Sequence, residues 1–172
     1  MQRRMKFVVL VLVAIVACSV GTRGMAGIIF RSPEVDVPVS LAKGTTARTK
    51  EFGSKKRDYY LISVVAQRRH PDDGQVCMMG IEMGPLSSYA CGQKPLLQAA
   101  WHVLDGDKII AGGTVQEKGG GGVTSRTLER YLGHFWGEAG HKYVLEITFI
   151  GDGAPLNSTT PHLVVEIKKN SD

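Results

Sequence analysis

Cys18 is the residue whose chemistry this sequence specifies most fully. It closes an eleven-residue apolar run, Phe7 to Ala17, that follows the basic start Met1-Gln2-Arg3-Arg4-Met5-Lys6. A positive n-region, a short apolar h-region and a small residue at the boundary are the parts of a secretion signal. Ile15-Val16-Ala17-Cys18 has the lipobox pattern: a branched aliphatic, a tolerated Val, a small residue, then the cysteine that is diacylated. At about 1.5 Å per residue the run covers roughly half of a ~30 Å hydrocarbon core, so a spanning helix is the poorer reading. Cleavage near Ala26-Gly27 is the rival, and it would have to tolerate Arg23 and Met25 just before the site. The expectation is residues 1–17 as a lipoprotein signal helix, 18–27 as a tether, and 28–172 as one domain. Ser19 follows the cysteine where an Asp would suggest inner-membrane retention, which points to the outer membrane, facing the periplasm. Each buried methylene of an acyl anchor contributes about 0.8 kcal/mol, so several chains hold firmly.

Cys77 and Cys91 remain as an even pair in an oxidising compartment, so a disulfide is the default expectation, worth ~3 kcal/mol in the chain-entropy model. Two buried free thiols are the alternative. A metal site lacks the close ligand spacing that such sites use.

The histidines are His70, His102, His134, His141 and His162. His134, Glu138 and His141 invite a metal reading. Metalloprotease helices, however, place two histidines at i and i+4 with a Glu beside the first, and here two glycines intervene. Asp72-Asp73-Gly74 and Asp105-Gly106-Asp107 lack the alternate ligands and distal Glu of a calcium loop and read as turns. Lys118-Gly119-Gly120-Gly121-Gly122 puts the lysine on the wrong side of the glycines for a phosphate loop. Ser87, Ser88 and Ser125 sit in no Gly-x-Ser-x-Gly elbow, although a Ser-His-Asp set can be dispersed along a chain. No catalytic, cofactor or metal residues are therefore expected. The densest aromatic patch is Tyr131, Phe135 and Trp136 with Arg130 beside it. Arg130, Tyr131 and Trp136 are the expected partner-binding residues if they reach solvent, since such types dominate binding hot spots; the competing reading makes them core.

The elements that must position these residues follow from period-two patterning. Val35, Val37, Val39 and Leu41 alternate with polar residues and with Pro38, which restricts the strand to a sheet edge or a bulge. Lys43 to Arg57 reads as a loop with a weak strand. Tyr59 to Ala66 reads as a central strand. Val76 to Met83 is expected as a strand, broken by Gly84-Pro85. Leu96–Leu104 and Lys108–Thr114 flank Asp105-Gly106, a hairpin cue. Lys118 to Gly122 is expected as a mobile loop. Val123 to Trp136 reads as a strand with a bulge rather than as a short helix around Thr127–Leu132, which Gly133 interrupts. Tyr143, Leu145, Ile147 and Phe149 share one face of a further strand, and Leu163 to Ile167 forms the last. Arg57–Ile62 and His141–Ile147 are alike, and are expected as equivalent strands in two sheets. Roughly seven to nine strands with little helical periodicity predict an all-β fold: a two-sheet antiparallel β-sandwich, immunoglobulin-like or jelly-roll-like.

Loss of residues 1–17 removes Arg3, Arg4 and Lys6 and no acid, which lowers the net charge from +5 to +2 and leaves 155 of the 172 residues. So small a charge implies no nucleic-acid partner. That length suits one domain with a real core.

The run Lys56-Arg57-Asp58-Tyr59-Tyr60-Leu61, the Gly-rich middle, Arg130-Tyr131-Leu132-Gly133, Gly140–Ile147, Asp152–Leu156 and Leu163–Ile167 resembles a family of small, uncharacterised proteobacterial envelope lipoproteins, over about residues 35–167. The resemblance implies a sandwich and an envelope location and brings no catalytic residues with it. The expected function is that of a lipid-anchored envelope protein whose sandwich binds another protein without catalysis. One form would be a periplasmic immunity protein that plugs an antibacterial toxin. The alternatives are an envelope-polymer hydrolase or sugar-binding module, and a structural accessory of a secretion machine.

Overall fold

The computed structural model describes residues 33–69, 74–82, 84 and 94–168. The signal, the tether, Cys18, His70, Asp72, Asp73, Ser87, Ser88 and Cys91 lie outside the described residues. Among the described residues nine strands form two antiparallel sheets. The first sheet holds β1 (Val35–Pro38), β3 (Asp58–Gln67), β6 (Gly121–Val123), β7 (Thr127–Gly137) and β9 (His162–Lys168), in the order β1-β9-β3-β7-β6. The second holds β2 (Thr46–Arg48), β4 (Ala99–Asp105), β5 (Lys108–Val115) and β8 (Tyr143–Phe149), in the order β2-β8-β4-β5. The chain is an all-β sandwich.

Alternation built it. Along β8 the buried residues are Tyr143, Leu145, Ile147 and Phe149, every second position. Along β3 they include Tyr60, Ile62, Val64 and Ala66. Those inner faces meet Trp101 and Val103 of β4 and Leu163 and Val165 of β9 in a single apolar cluster. At the centre Tyr60 stacks on Phe135 at 4.8 Å, and Phe135 meets Tyr143 edge-on at 5.3 Å. Offset and edge-on ring pairs are the favoured geometries of aromatic quadrupoles. β3 and β8 are interior strands of different sheets, as their matching sequences suggest. Pro38 sits on β1, at a sheet edge, where its missing N–H costs no ladder bond.

Two expectations are corrected. Val76 to Met83 does not begin as a strand: Gly74–Met79 is a one-and-a-half-turn helix, α1. Its buried residues, Val76 and Met79, are three apart, a helical spacing within an apolar run too short to reveal it. Gly80 ends the helix at φ +73°, a conformation open to glycine, and its N–H donates to the Cys77 carbonyl at 3.0 Å. The Lys118–Gly122 segment is not simply a loop. Gly121–Val123 is β6, paired with Leu128–Arg130 of β7. Gly119 forms a parallel bridge to Ile81 and exchanges backbone hydrogen bonds with the α1 exit.

Candidate functional site

β7 decides which aromatic side chains reach water. Its buried positions run Leu128, Arg130, Leu132, then jump to Phe135 and Gly137. The jump is a β-bulge: Ile62 faces Gly133 and Ser63 faces Tyr131, so Leu132 is the extra residue. An extra residue reverses the inside-outside parity of everything beyond it. Without it His134 and Trp136 would point into the core and Phe135 out of it.

The outer face of the five-stranded sheet therefore carries an aromatic row. Trp136 is 47% exposed. Tyr59, its cross-strand neighbour on β3, meets it edge-on at 5.1 Å and meets the His134 ring at 5.1 Å on the other side. The Arg57 guanidinium lies 5.4 Å from the Trp136 ring centroid and pairs with Glu138 at 3.4 Å. Tyr131 stands half-buried further along the same face. On the other flank of β3, Lys168 donates to Glu166 at 2.8 Å, and that bond holds the lysine pKa above its ordinary value. Contacts with one another on paired strands leave these rings little conformational freedom, so they would dock on a partner at low entropic cost.

The three residues expected as one patch are thus divided. Tyr131 and Trp136 face outward. Arg130 faces inward and is 4% exposed, so it is withdrawn as a surface anchor. Its guanidinium donates to the backbone carbonyls of Glu117, Gly120 and Tyr131 at 2.8–3.0 Å. Burial lowers its pKa, and the charge of Glu82 opposes that shift. Gly119 follows from this packing: a Cβ there would fall 2.7 Å from Arg130 Nη1. A Cβ on Gly121 would instead meet the Glu129 carbonyl of the paired strand and the Ile81 side chain. An open groove of about 570 Å³, lined by residues including Gln116, Lys118 and Tyr131, runs beside this staple. Sequence reasoning missed Tyr59 and Arg57 as members of the aromatic row, because the pairing of β3 with β7 that brings them to Trp136 is non-local.

The histidines are dispersed. His102 Nε2 meets Glu146 at 2.6 Å, and Arg48 pairs with the same carboxylate, in a row across β4, β8 and β2. His141 Nδ1 meets Asp105 at 2.7 Å, and His162 Nδ1 meets Asp36 at 2.5 Å. His134 belongs to the aromatic row. Among the described residues no three His, Cys, Asp or Glu side chains are placed to hold a metal ion, and no serine hydroxyl is hydrogen-bonded to a histidine ring. Cys77 lies half-buried on α1. No helix among the described residues is long and apolar enough to cross a membrane.

The sandwich is similar to a crystal structure of a protein from Sulfurospirillum deleyianum, with 15% identity and a TM-score of 0.54, over 79% of this chain and 98% of that one. At that identity the likeness is one of fold. No family model and no curated protein matches the chain.

Proposed function

We propose that this protein is an exported, lipid-anchored envelope protein whose β-sandwich binds another protein without catalysis. The binding surface is the outer face of the five-stranded sheet. A periplasmic immunity protein neutralising an antibacterial toxin is one concrete form of this reading, and a structural accessory of a secretion system is another. The observation that carries the binding surface is Trp136, 47% exposed and held between Tyr59 and Arg57 on a paired strand. Trp, Tyr and Arg are the residue types in which interface energy concentrates. Export and the anchor rest on the Cys18 pattern. The Cys77–Cys91 disulfide is supported by Cys77 being disulfide-bonded.

A second reading has its own observation. Exposed aromatic rings beside the carboxylates of Glu138 and Glu166 also suit a sugar ring of an envelope polymer. One experiment separates the two. The full-length protein is used to capture partners from envelope extract, alongside Tyr59→Ala/Trp136→Ala, with circular dichroism confirming the fold. Loss of one protein partner by about thirtyfold in affinity supports the first reading, on the ~2 kcal/mol scale of a hot spot. Retention of isolated polysaccharide that the double variant releases supports the second. Unchanged capture by a well-folded double variant removes this face from both. Single histidine substitutions are expected to cost far less.

A further inference from the structure

β7 is eleven residues long, and β6 lies along only part of it, Leu128–Arg130. The chain arrives from β5 by way of Gly119, which is bridged to Ile81, and joins the sheet at Gly121. Among the described residues nothing else pairs with β7 on that flank. The chirality of a strand ties the direction of each N–H and C=O to the face of its side chain. On β7 the outward-facing residues direct theirs away from β3. The Tyr131 N–H donates to the Gly120 carbonyl at 3.0 Å, and the Thr127 carbonyl accepts from the Thr124 N–H at 2.9 Å. Beyond the bulge the outward-facing residues are His134 and Trp136, so their N–H and C=O groups point to the same flank, past the end of β6. The Trp136 ring is bare on that side. Tyr59 stands between Lys168 of β9 and Trp136 and is half-buried, whereas Trp136 has a cross-strand neighbour on one side alone and is 47% exposed. The groove of about 570 Å³, lined by Val115 and Leu132 among others, opens where this bare flank begins.

We propose that the protein partner binds through an extended segment, which adds to this flank as a strand antiparallel to β7 and in line with β6. The proposal rests on the reading that the Trp136 face binds a protein. Two features choose this occupant. N–H and C=O groups that recur on every second residue, about 7 Å apart, match another main chain, and neither a sugar polymer nor a lipid carries that repeat. The bare side of the Trp136 ring is also where the side chain opposite Trp136 on such a strand would stand, so the edge and the exposed ring form one continuous interface. The chemistry of the segment follows. Opposite His134 and Trp136 it carries aromatic or β-branched residues, which pair well across strands with an aromatic ring. The residue between them faces inward, on the side where β5 of the other sheet packs against β7, and is uncharged. Neither residue opposite His134 or Trp136 is proline, because each donates its N–H to β7.

A displayed library of random heptapeptides, selected on the full-length protein, supplies the probe. Methylating the amide nitrogens of a selected peptide one at a time should weaken binding by about tenfold at alternate positions, each losing one hydrogen bond, and leave the positions between unchanged. His134→Pro removes an outward N–H and no ladder bond to β3, and should weaken binding about tenfold beyond His134→Ala. Bound peptide should slow hydrogen exchange at the His134 and Trp136 amides, which exchange faster than the Phe135 amide in the free protein. A methylation scan without alternation overturns the proposal, and so does His134→Pro binding as well as His134→Ala. Selection of no peptide that discriminates the protein from Tyr59→Ala/Trp136→Ala overturns it too. Slow exchange at both amides in the free monomer would show the flank already covered, and slow exchange only in a dimer would put a second copy there; either overturns it. Peptides lost on Tyr59→Ala/Trp136→Ala but indifferent to every main-chain change would keep the face as a binding surface and overturn strand addition alone.

Discussion

Trp101 of β4 lies against the backbone of Gly133 of β7, and the sandwich closes on that contact. A Cβ on Gly133 would fall 2.6 Å from Trp101 Cε2. The indole N–H donates to the carbonyl of Leu132, the bulged residue, at 3.0 Å. The side chain that bridges the sheets is therefore hydrogen-bonded to the bulge that sets the parity of β7.

Gly133→Ala should destabilise the protein by about 2–3 kcal/mol, the cost of overpacking a filled core. Urea unfolding measures it. Trp101→Phe alone should also destabilise, by loss of volume and of the indole donor. Combined with Gly133→Ala it should cost less than the two single changes together, because the smaller ring makes room for the methyl. Additive losses would mean that the two residues do not share the space.

Arg130 is predicted to act in folding. Arg130→Ala should cost about 2–4 kcal/mol, since it empties a buried side-chain site and leaves the part-buried carbonyls of Glu117, Gly120 and Tyr131 without their donor. Arg130→Lys should recover only part of that, because an ammonium cannot span three acceptors as a planar guanidinium does. Denaturation midpoints report the loss. Partner affinity per folded molecule should not move.

Tyr143 makes stability depend on alkaline pH. Burial raises its pKa above the ordinary value, with the neighbouring charges of Asp105 and Glu138 adding to the shift and the Glu138 N–H opposing it. An unfolded phenol ionises from about pH 10, while the folded one still holds its proton. The stabilisation is complete below that pH and is lost as pH rises through the folded pKa. Tyr143→Phe should cost about 1 kcal/mol at neutral pH, by removing the acceptor of the Glu138 N–H at 2.6 Å. It should also make the alkaline fall in stability shallower. Urea melts from pH 7 to pH 11 compare the slopes, and equal slopes would remove Tyr143 as the cause.

Cys18→Ser should release the protein from membranes or block its processing, because no thioether-linked lipid can then form. Palmitate labelling of the two forms tests it, and equal label in both would end the lipoprotein reading. Non-reducing peptide mapping of the same preparations should recover Cys77 joined to Cys91.

Much of the sandwich was legible in the chain. β8 alternates so cleanly that its buried face is readable residue by residue. Pro38 announced an edge or a bulge, and Asp105-Gly106 a hairpin. These are local signals: a side chain's face on a strand depends only on its position within that strand. The Cys18 pattern is also local, and it is carried by sequence alone. What tertiary structure decided was non-local. The bulge at Leu132 turned Trp136 outward while Arg130, of the same parity but ahead of it, stays inward, and its position depends on how β7 registers against β3 and on where Trp101 needs room. The glycine run was ordered by the pairing of Gly121–Val123 with β7 and by the bridge from Gly119 to Ile81, which residues without side chains do not announce. Val76 and Met79 became helical because their contacts lie on one face of a turn, and a short apolar segment has too few residues to favour one period over another until packing chooses.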